Sequence, residues 1–209
     1  MLHSKLTKPC FYIESRADVT ELMAIRPKLR KSLGVRITTN AFYIRVLALA
    51  AQQYPLTTGR FDGDGIKLAD AINVGFAVNA PQGLMVPVVK NACGKMLSEI
   101  AREEQLLTDK ARDNQLTLED IEGETIALSN LGAYGIDSFV GIVPPPVSTI
   151  VSVGNVVAEV ACRDGAAAVR KVVSLFLAAD NRVVDALYAA LFLGFIKEKL
   201  QNPQQLIER

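Results

Sequence analysis

The stretch "FLAADNRVVDALYAALFLGF" spans Phe176–Phe195. An apolar run ends in Ala-Asp, charged and polar residues follow, and an almost wholly apolar helical segment begins. The pattern predicts a buried strand that turns directly into a buried helix. Asp180, Asn181, Arg182 and Asp185 lie at that junction. Charged groups between two apolar segments need partners. Asp180 and Arg182 are suited to an ion pair, and Asp185 favours a helix N-terminus by its charge. The residues alone read as a structural network, with no obviously tuned general base.

Upstream, "VSTIVSVGNV" (147–156) and "AAVRKVVSLFLAAD" (167–180) predict strands. "ETIALSNLG" (124–132) predicts another, in which Ser129 shares a face with Thr125 and Ala127, opposite Ile126 and Leu128. A hydroxyl there can donate to an oxyanion. The plainer reading is a satisfied hydroxyl within a sheet. Gly132 and Gly135 in "NLGAYG" match no phosphate-loop pattern and read as turn glycines. "AYGIDSFVGIVPPP" is expected to be a long loop.

In the first half, "CFYIES" (10–15) has strand composition. A helix follows with Asp18 as its expected cap, a kink or restart at Pro27 and a stop at Gly34. "TTNAFYIRVLALAAQQYP" (38–55) predicts a helix buried on nearly every side. "GRFDGDGIKL" (59–68) reads as a hairpin. "AINVGFAVNA" (71–80) is expected to form one strand, with a bulky and a small face. "PQGLMVPVVKNA" (81–92) adds a turn and an edge strand at Pro87. Residues 96–116 predict an amphipathic helix whose charges form a solvated face, and "TLED" (117–120) predicts a capped turn. The expected architecture is a single α/β domain with a mixed sheet and helices on one side.

Across 209 residues, 23 Lys and Arg balance 22 Asp and Glu. That balance, with no Trp, gives no basis for nucleic-acid or anionic-membrane binding. Cys10, Cys93 and Cys162 form no CxxC pair, and His3 is the only histidine. Metal binding is not expected, and reduced thiols in a cytoplasmic setting are. No apolar run is long enough to span a membrane.

Several of these stretches together resemble the catalytic core of dihydrolipoamide acyltransferases, the E2 components of 2-oxoacid dehydrogenase complexes. "SKLTKPCFYI" is similar to that family's Ser-Lys-x-Thr-x-Pro-His-Phe/Tyr opening, and "QGLMVPVV" (82–89) to its Asp-Gly-Leu-Met-Val-Pro-Val-Val. "ETIALSNLGAYGIDSF" (124–139) is similar to Gly-Thr-Phe-Thr-Ile-Ser-Asn-Leu-Gly, and "ADNRVVDA" (179–186) to Asp-His-Arg-x-x-Asp-Gly. The resemblance covers nearly the whole chain. It implies a chloramphenicol acetyltransferase-like two-layer α/β sandwich over residues 1–209, with neither lipoyl nor peripheral-subunit-binding domain and no covalently bound cofactor.

The resemblance further implies acyl transfer between a lipoyl thioester and coenzyme A, at sites shared between subunits of a trimer. A histidine takes the thiol proton, and the serine at Ser129 steadies the tetrahedral oxyanion. Here Asn181 stands at the histidine position, and an amide does not titrate. Ala186, Cys10, Ala127 and Ala41 replace a glycine, a histidine, a threonine and an aspartate. Asp180, Arg182, Asp185 and Ser129 remain. Proton chemistry is lost while scaffold residues are kept. The expected role is a non-catalytic, trimeric assembly or scaffold subunit that associates with an active E2. The alternative is an active acyltransferase moving an acyl group between dihydrolipoamide, or a related thiol, and coenzyme A. Leu206 and Ile207, followed by Glu208 and Arg209, predict discrete trimers in place of closed cages.

Overall fold

A computed structural model describes residues 2–163 and 165–207. The strand-to-helix junction organises it. β9 (Thr149–Arg163) and β10 (Ala166–Asp180) form a long antiparallel ribbon, and β10 also pairs antiparallel with β1 (Cys10–Asp18). β8 (Ile126–Asn130) runs parallel to β9 and to β4 (Val74–Phe76), and β7 (Val88–Val89) closes the edge. The sheet order is β1-β10-β9-β8-β4-β7. Parallel and antiparallel pairs thus make the expected mixed sheet.

Alternation along these strands sends Ile126, Leu128, Val151, Val153, Val173, Leu175 and Leu177 into one core. Four helices cover that face: α2 (Thr20–Leu33), α3 (Thr39–Gln53), α4 (Leu97–Arg112) and α6 (Ala186–Gln201). α3 is the central one. Its apolar residues leave no polar face, and Phe42, Ile44, Val46, Leu47 and Ala48 are all buried. Thr38 caps it by accepting the Ala41 N–H. The other face carries a smaller cluster, Ala127, Val143, Val147, Ile150 and Ala178. An extended loop over 135–148 covers it, joined by α1 (Leu2–Thr7), whose Ser4 hydroxyl donates to the Val143 carbonyl at 2.5 Å.

Four local expectations change. Residues 71–80 form two strands. β4 ends at Phe76, and β5 (Val78–Ala80) leaves the sheet to pair with β6 (Gly83–Met85). The ladder to β8 ends with the Ala77 N–H, which donates to the Leu128 carbonyl at 3.0 Å. Asp18 is not the N-cap residue of α2, although its carboxylate holds the helix's first N–H. It ends β1, accepts the Thr20 N–H and ion-pairs with Arg170, leaving Val19 at the N-cap. α2 runs unbroken through Pro27, because one missing backbone bond is tolerated where Leu22 anchors the helix in the core. Finally, Glu104 is not on a solvated face. It is buried and accepts the Thr38 hydroxyl at 2.9 Å, which ties α4 to the start of α3. Burial pushes its carboxyl above the ordinary carboxylate range, against the pull of that hydrogen bond.

The hairpin of β2 (Arg60–Phe61) and β3 (Ile66–Lys67) forms where expected, as does the Thr117-capped α5 (Leu118–Ile121). α7 (Gln204–Ile207) follows α6 and buries Leu206 completely in the chain's own core. Leu206 is therefore not free to plug a neighbouring particle. Glu208 and Arg209 lie outside the described residues. Among the described residues, no helix is long and apolar enough to cross a membrane.

Candidate functional site

The strap between β10 and α6 is held by one ion pair. Arg182 donates from Nε to Asp180 Oδ1 at 2.9 Å and from Nη2 to Oδ2 at 2.6 Å, while its backbone N–H also reaches Oδ1. Asp180 is 2 % exposed. Burial alone would raise its carboxyl, but the hydrogen bonds from Arg182 outweigh it and hold the group below its usual range. The guanidinium also stacks over Phe61, 4.8 Å from the ring centre, and so binds the strap to the β2–β3 hairpin. Ser148 secures the same hairpin by donating to the Gly59 carbonyl.

The remaining strap residues are placed by backbone bonds. The Asn181 N–H donates to the Pro9 carbonyl at 3.0 Å, and its side chain is exposed. Asp185 accepts the Tyr188 N–H at 2.8 Å and so caps α6. Cys10 pairs across the strands with Asp180, and burial pushes its thiol up. Lys8 donates to the carbonyls of Val147 and Pro144. Asp180, Asn181, Arg182 and Asp185 thus form one local group, as their spacing implied.

Ser129 is elsewhere. It lies on the Ala127 face, in register with Ser152, which in turn pairs with Phe176. Asn181 is five residues beyond Phe176 and two strands away, a separation of about 15–20 Å. One protomer does not bring them together. The Ser129 hydroxyl has no hydrogen-bond partner among the described residues.

Glu124 is the group that sequence reasoning missed. The Thr125 and Ile126 N–H groups both donate to the Asn73 carbonyl, a local bulge at the start of β8. The bulge turns the Glu124 side chain onto the Ala127 face, over Gly75. A Cβ on Gly75 would overlap the Glu124 carboxyl, so only glycine leaves room for it. Oε1 is buried and has no hydrogen-bond partner among the described residues. Burial raises the carboxyl to about 7, with Lys8 as an opposing influence. The available signal was a charged residue at the first glycine of the family segment quoted above.

Two cavities flank β8. At its start, Glu124, Thr125, Asn73, Arg60, Lys67 and Val147 line about 530 Å³. At its end, Arg26, Tyr43, Asn130, Gly132, Gly154 and Lys171 line about 380 Å³. Arg26 Nε is buried there without a hydrogen-bond partner among the described residues. Cations beside glycine backbone suit an anionic ligand.

The fold is shared with chloramphenicol acetyltransferase, which overlays with a TM-score of 0.57 at 16 % identity, covering 92 % of this chain and 89 % of that one. The match to E2 cores is much closer. Dihydrolipoamide acetyltransferase of Azotobacter vinelandii superposes with a TM-score of 0.93 at 28 % identity, covering 98 % of this chain and 86 % of that one. A cubic core of the pyruvate dehydrogenase multienzyme complex superposes equally well, with a TM-score of 0.93 and 28 % identity over the same shares. The family model for 2-oxoacid dehydrogenases acyltransferase (catalytic domain) matches residues 1–208, and the chain belongs to that family.

Among its relatives, the dihydrolipoyllysine-residue acetyltransferase component of the pyruvate dehydrogenase complex from Rickettsia felis is 35 % identical over 99 % of this chain and 51 % of that protein. The pyruvate dehydrogenase protein X component of Mus musculus is 32 % identical over 99 % of this chain and 42 % of that protein. The chain thus spans about half the length of the curated relatives it matches, or less. The Azotobacter structure was determined to examine a serine, a histidine and an asparagine in catalysis. Ser129, Asn181 and Asp185 keep the same spacing along this chain as those three residues.

Proposed function

We propose that this chain is an E2-type core subunit that keeps the family's assembly role and has lost histidine-dependent acyl transfer. Asn181 carries the reading. It stands at the spacing of the histidine, on a strap whose Asp180–Arg182 pair and Asp185 cap are intact. A thiol of ordinary pKa, about 8.5, is only a few per cent ionised at pH 7. Loss of a general base costs about 10²–10⁴ in rate. Strap geometry without the base suits a subunit retained for assembly.

Trimer formation is part of the proposal. The gap between Ser129 and Asn181 within one protomer leaves any joint site to a second copy. Phe61, Ile66, Leu68, Leu187 and Leu191 are exposed on the hairpin and on α6. Such apolar exposure near the strap favours burial by another subunit. The proposed partner is an active 2-oxoacid dehydrogenase acyltransferase. The mouse relative, named a component of its complex without a transferase name, supports this role. Coenzyme A is the proposed ligand of the 380 Å³ cavity, where Arg26 and Lys171 would face its phosphates. Three unpaired cysteines are in keeping with a cytoplasmic setting.

The test is transfer between acetyl-CoA and dihydrolipoamide at pH 7. Little activity is expected. A rate on the order of 10 s⁻¹, as in ordinary enzymes, overturns the reading. One observation favours a second reading, slow acyl transfer without a histidine: Glu124 Oε1 is buried with no hydrogen-bond partner among the described residues.

A further inference from the structure

Glu104 projects from α4 into the interior and is 6 % exposed. It lines neither of the two cavities beside β8, yet a chain of polar side chains leads from it to one of them. Its Oε2 accepts the Thr38 hydroxyl at 2.9 Å, and the Asn40 side chain is a second hydrogen-bond donor to the same carboxyl. Asn40 Oδ1 in turn accepts from Asn130 Nδ2 at 2.9 Å, and Asn130 Oδ1 accepts the Gly132 N–H at 2.9 Å. Asn130 and Gly132 line the 380 Å³ cavity together with Arg26, Tyr43 and Lys171.

The direction of this chain is fixed from both ends. The Gly132 backbone N–H can only donate, so Asn130 turns its oxygen to it and its NH₂ to Asn40. Asn40 must answer with its oxygen, which leaves its own NH₂ for Glu104. An ionised carboxylate only accepts, and so holds that amide in the required sense. The place suits a carboxylate. Thr38 and Asn40 open α3, whose first turn has no acidic residue of its own, and negative charge is favoured at a helix N-terminus. Burial raises the carboxyl, while Thr38, Asn40, Arg112 and Arg36 all act to lower it. The far end of the chain has little slack. A Cβ on Gly132 would come within 2.5 Å of the carbonyl oxygen of Gly154, which also lines the cavity.

We infer that Glu104 is a positioning residue for this cavity: through Asn40 and Asn130 it sets the Gly132 turn, and with it the affinity for coenzyme A. The inference rests on the reading of the cavity as the coenzyme A site. Glu104 touches no ligand and acts only through the two amides. A glutamine at 104 keeps the shape but has a single acceptor oxygen. Thr38 is committed, because its Oγ1 also accepts the Ala41 N–H and its own proton points at residue 104. Asn40 is therefore the group that turns, and the misdirection passes to Asn130 and Gly132.

The experiment is a calorimetric titration of coenzyme A at pH 8 into the wild type, Glu104→Gln, Asn130→Ala and the double variant. Glu104→Gln is expected to weaken binding by about tenfold, the scale of one hydrogen bond. The double variant is expected to bind no more weakly than Asn130→Ala alone, because both changes cut the same chain. A merely structural role for Glu104 would multiply the two losses, and that result overturns the inference. Thermal melts confirm that the variants fold. Glu104→Met, which fills the same space with an apolar chain, is a second route to the same cut and is expected to show the same loss. A wild type that binds no coenzyme A at millimolar concentration overturns the coenzyme A reading and the inference with it. Wild-type binding that is indifferent to Glu104 overturns the inference alone.

Discussion

The carboxyl of Glu124 lies over Gly75, in the space that a side chain at that position would fill. A titratable carboxyl is thereby held at the start of β8 without an ion-pair partner among the described residues. Its folded pKa is raised from 4.5 to about 7, so the folded chain holds this proton longer than the unfolded chain. The associated stability is fully present below about pH 4.5 and is lost between there and about pH 7. The loss amounts to at most about 3 kcal/mol. Urea unfolding of the wild type and Glu124→Gln at pH 5 and pH 8 reads it. The variant is expected to gain on the wild type as pH rises. Glu104 shifts in the same direction, but it is common to both proteins and cancels in the difference. A difference that stays flat with pH contradicts the assignment.

Removing Arg182 leaves the Asp180 carboxyl buried without its cation and uncovers Phe61. Arg182→Ala is expected to cost about 1–2 kcal/mol, because Asp180 is buried and loses its charged hydrogen bonds while the guanidinium side of the pair is open to solvent. Arg182→Lys restores the charge without the two-pronged geometry and falls between the two. Asp180 is depressed in the fold, so the stability it contributes is present above its unfolded value of 3.8 and is lost only as pH falls through the folded pKa. The cost therefore persists from pH 5 to 8. Denaturation midpoints within about 0.5 kcal/mol of wild type, the range of ordinary surface substitutions, would show that the pair is dispensable.

Restoring the histidine is expected to restore little by itself. The Asn181 backbone is fixed by the Pro9 carbonyl, but its side chain is exposed in the protomer. An imidazole there needs a defined tautomer and orientation. Ala186, the first residue of α6, carries a methyl group where the family pattern quoted above has glycine. Asn181→His is expected to raise transfer at pH 7 by less than tenfold, a small part of the roughly 10²–10⁴ that a general base supplies. Asn181→His with Ala186→Gly is expected to recover more. Full recovery by the single change would place the whole defect at residue 181.

The sheet, the buried α3 and the junction strap were legible because each has a period or a capping pattern that local physics reads directly. Asp185, for example, precedes an apolar helix and does cap it. The misses are positions where tertiary pairing overrides local pattern. Residues 71–80 alternate as one strand, yet after Ala77 the chain leaves β8 and pairs with β6 instead. Glu104 follows a polar stripe, yet Thr38 gives it a buried partner. Glu124 lands on the Ser129 face only because two N–H groups share the Asn73 carbonyl. No spacing rule reveals a bulge of that kind.

Assembly is the most direct test of the account, because the residues kept on the strap have no catalytic histidine to serve. Sedimentation velocity of the pure 22.6 kDa protein at micromolar concentration should show a species of three times that mass, with no hollow cage-sized particle. A single 22.6 kDa species, unchanged on mixing with an active E2 acyltransferase, would contradict it.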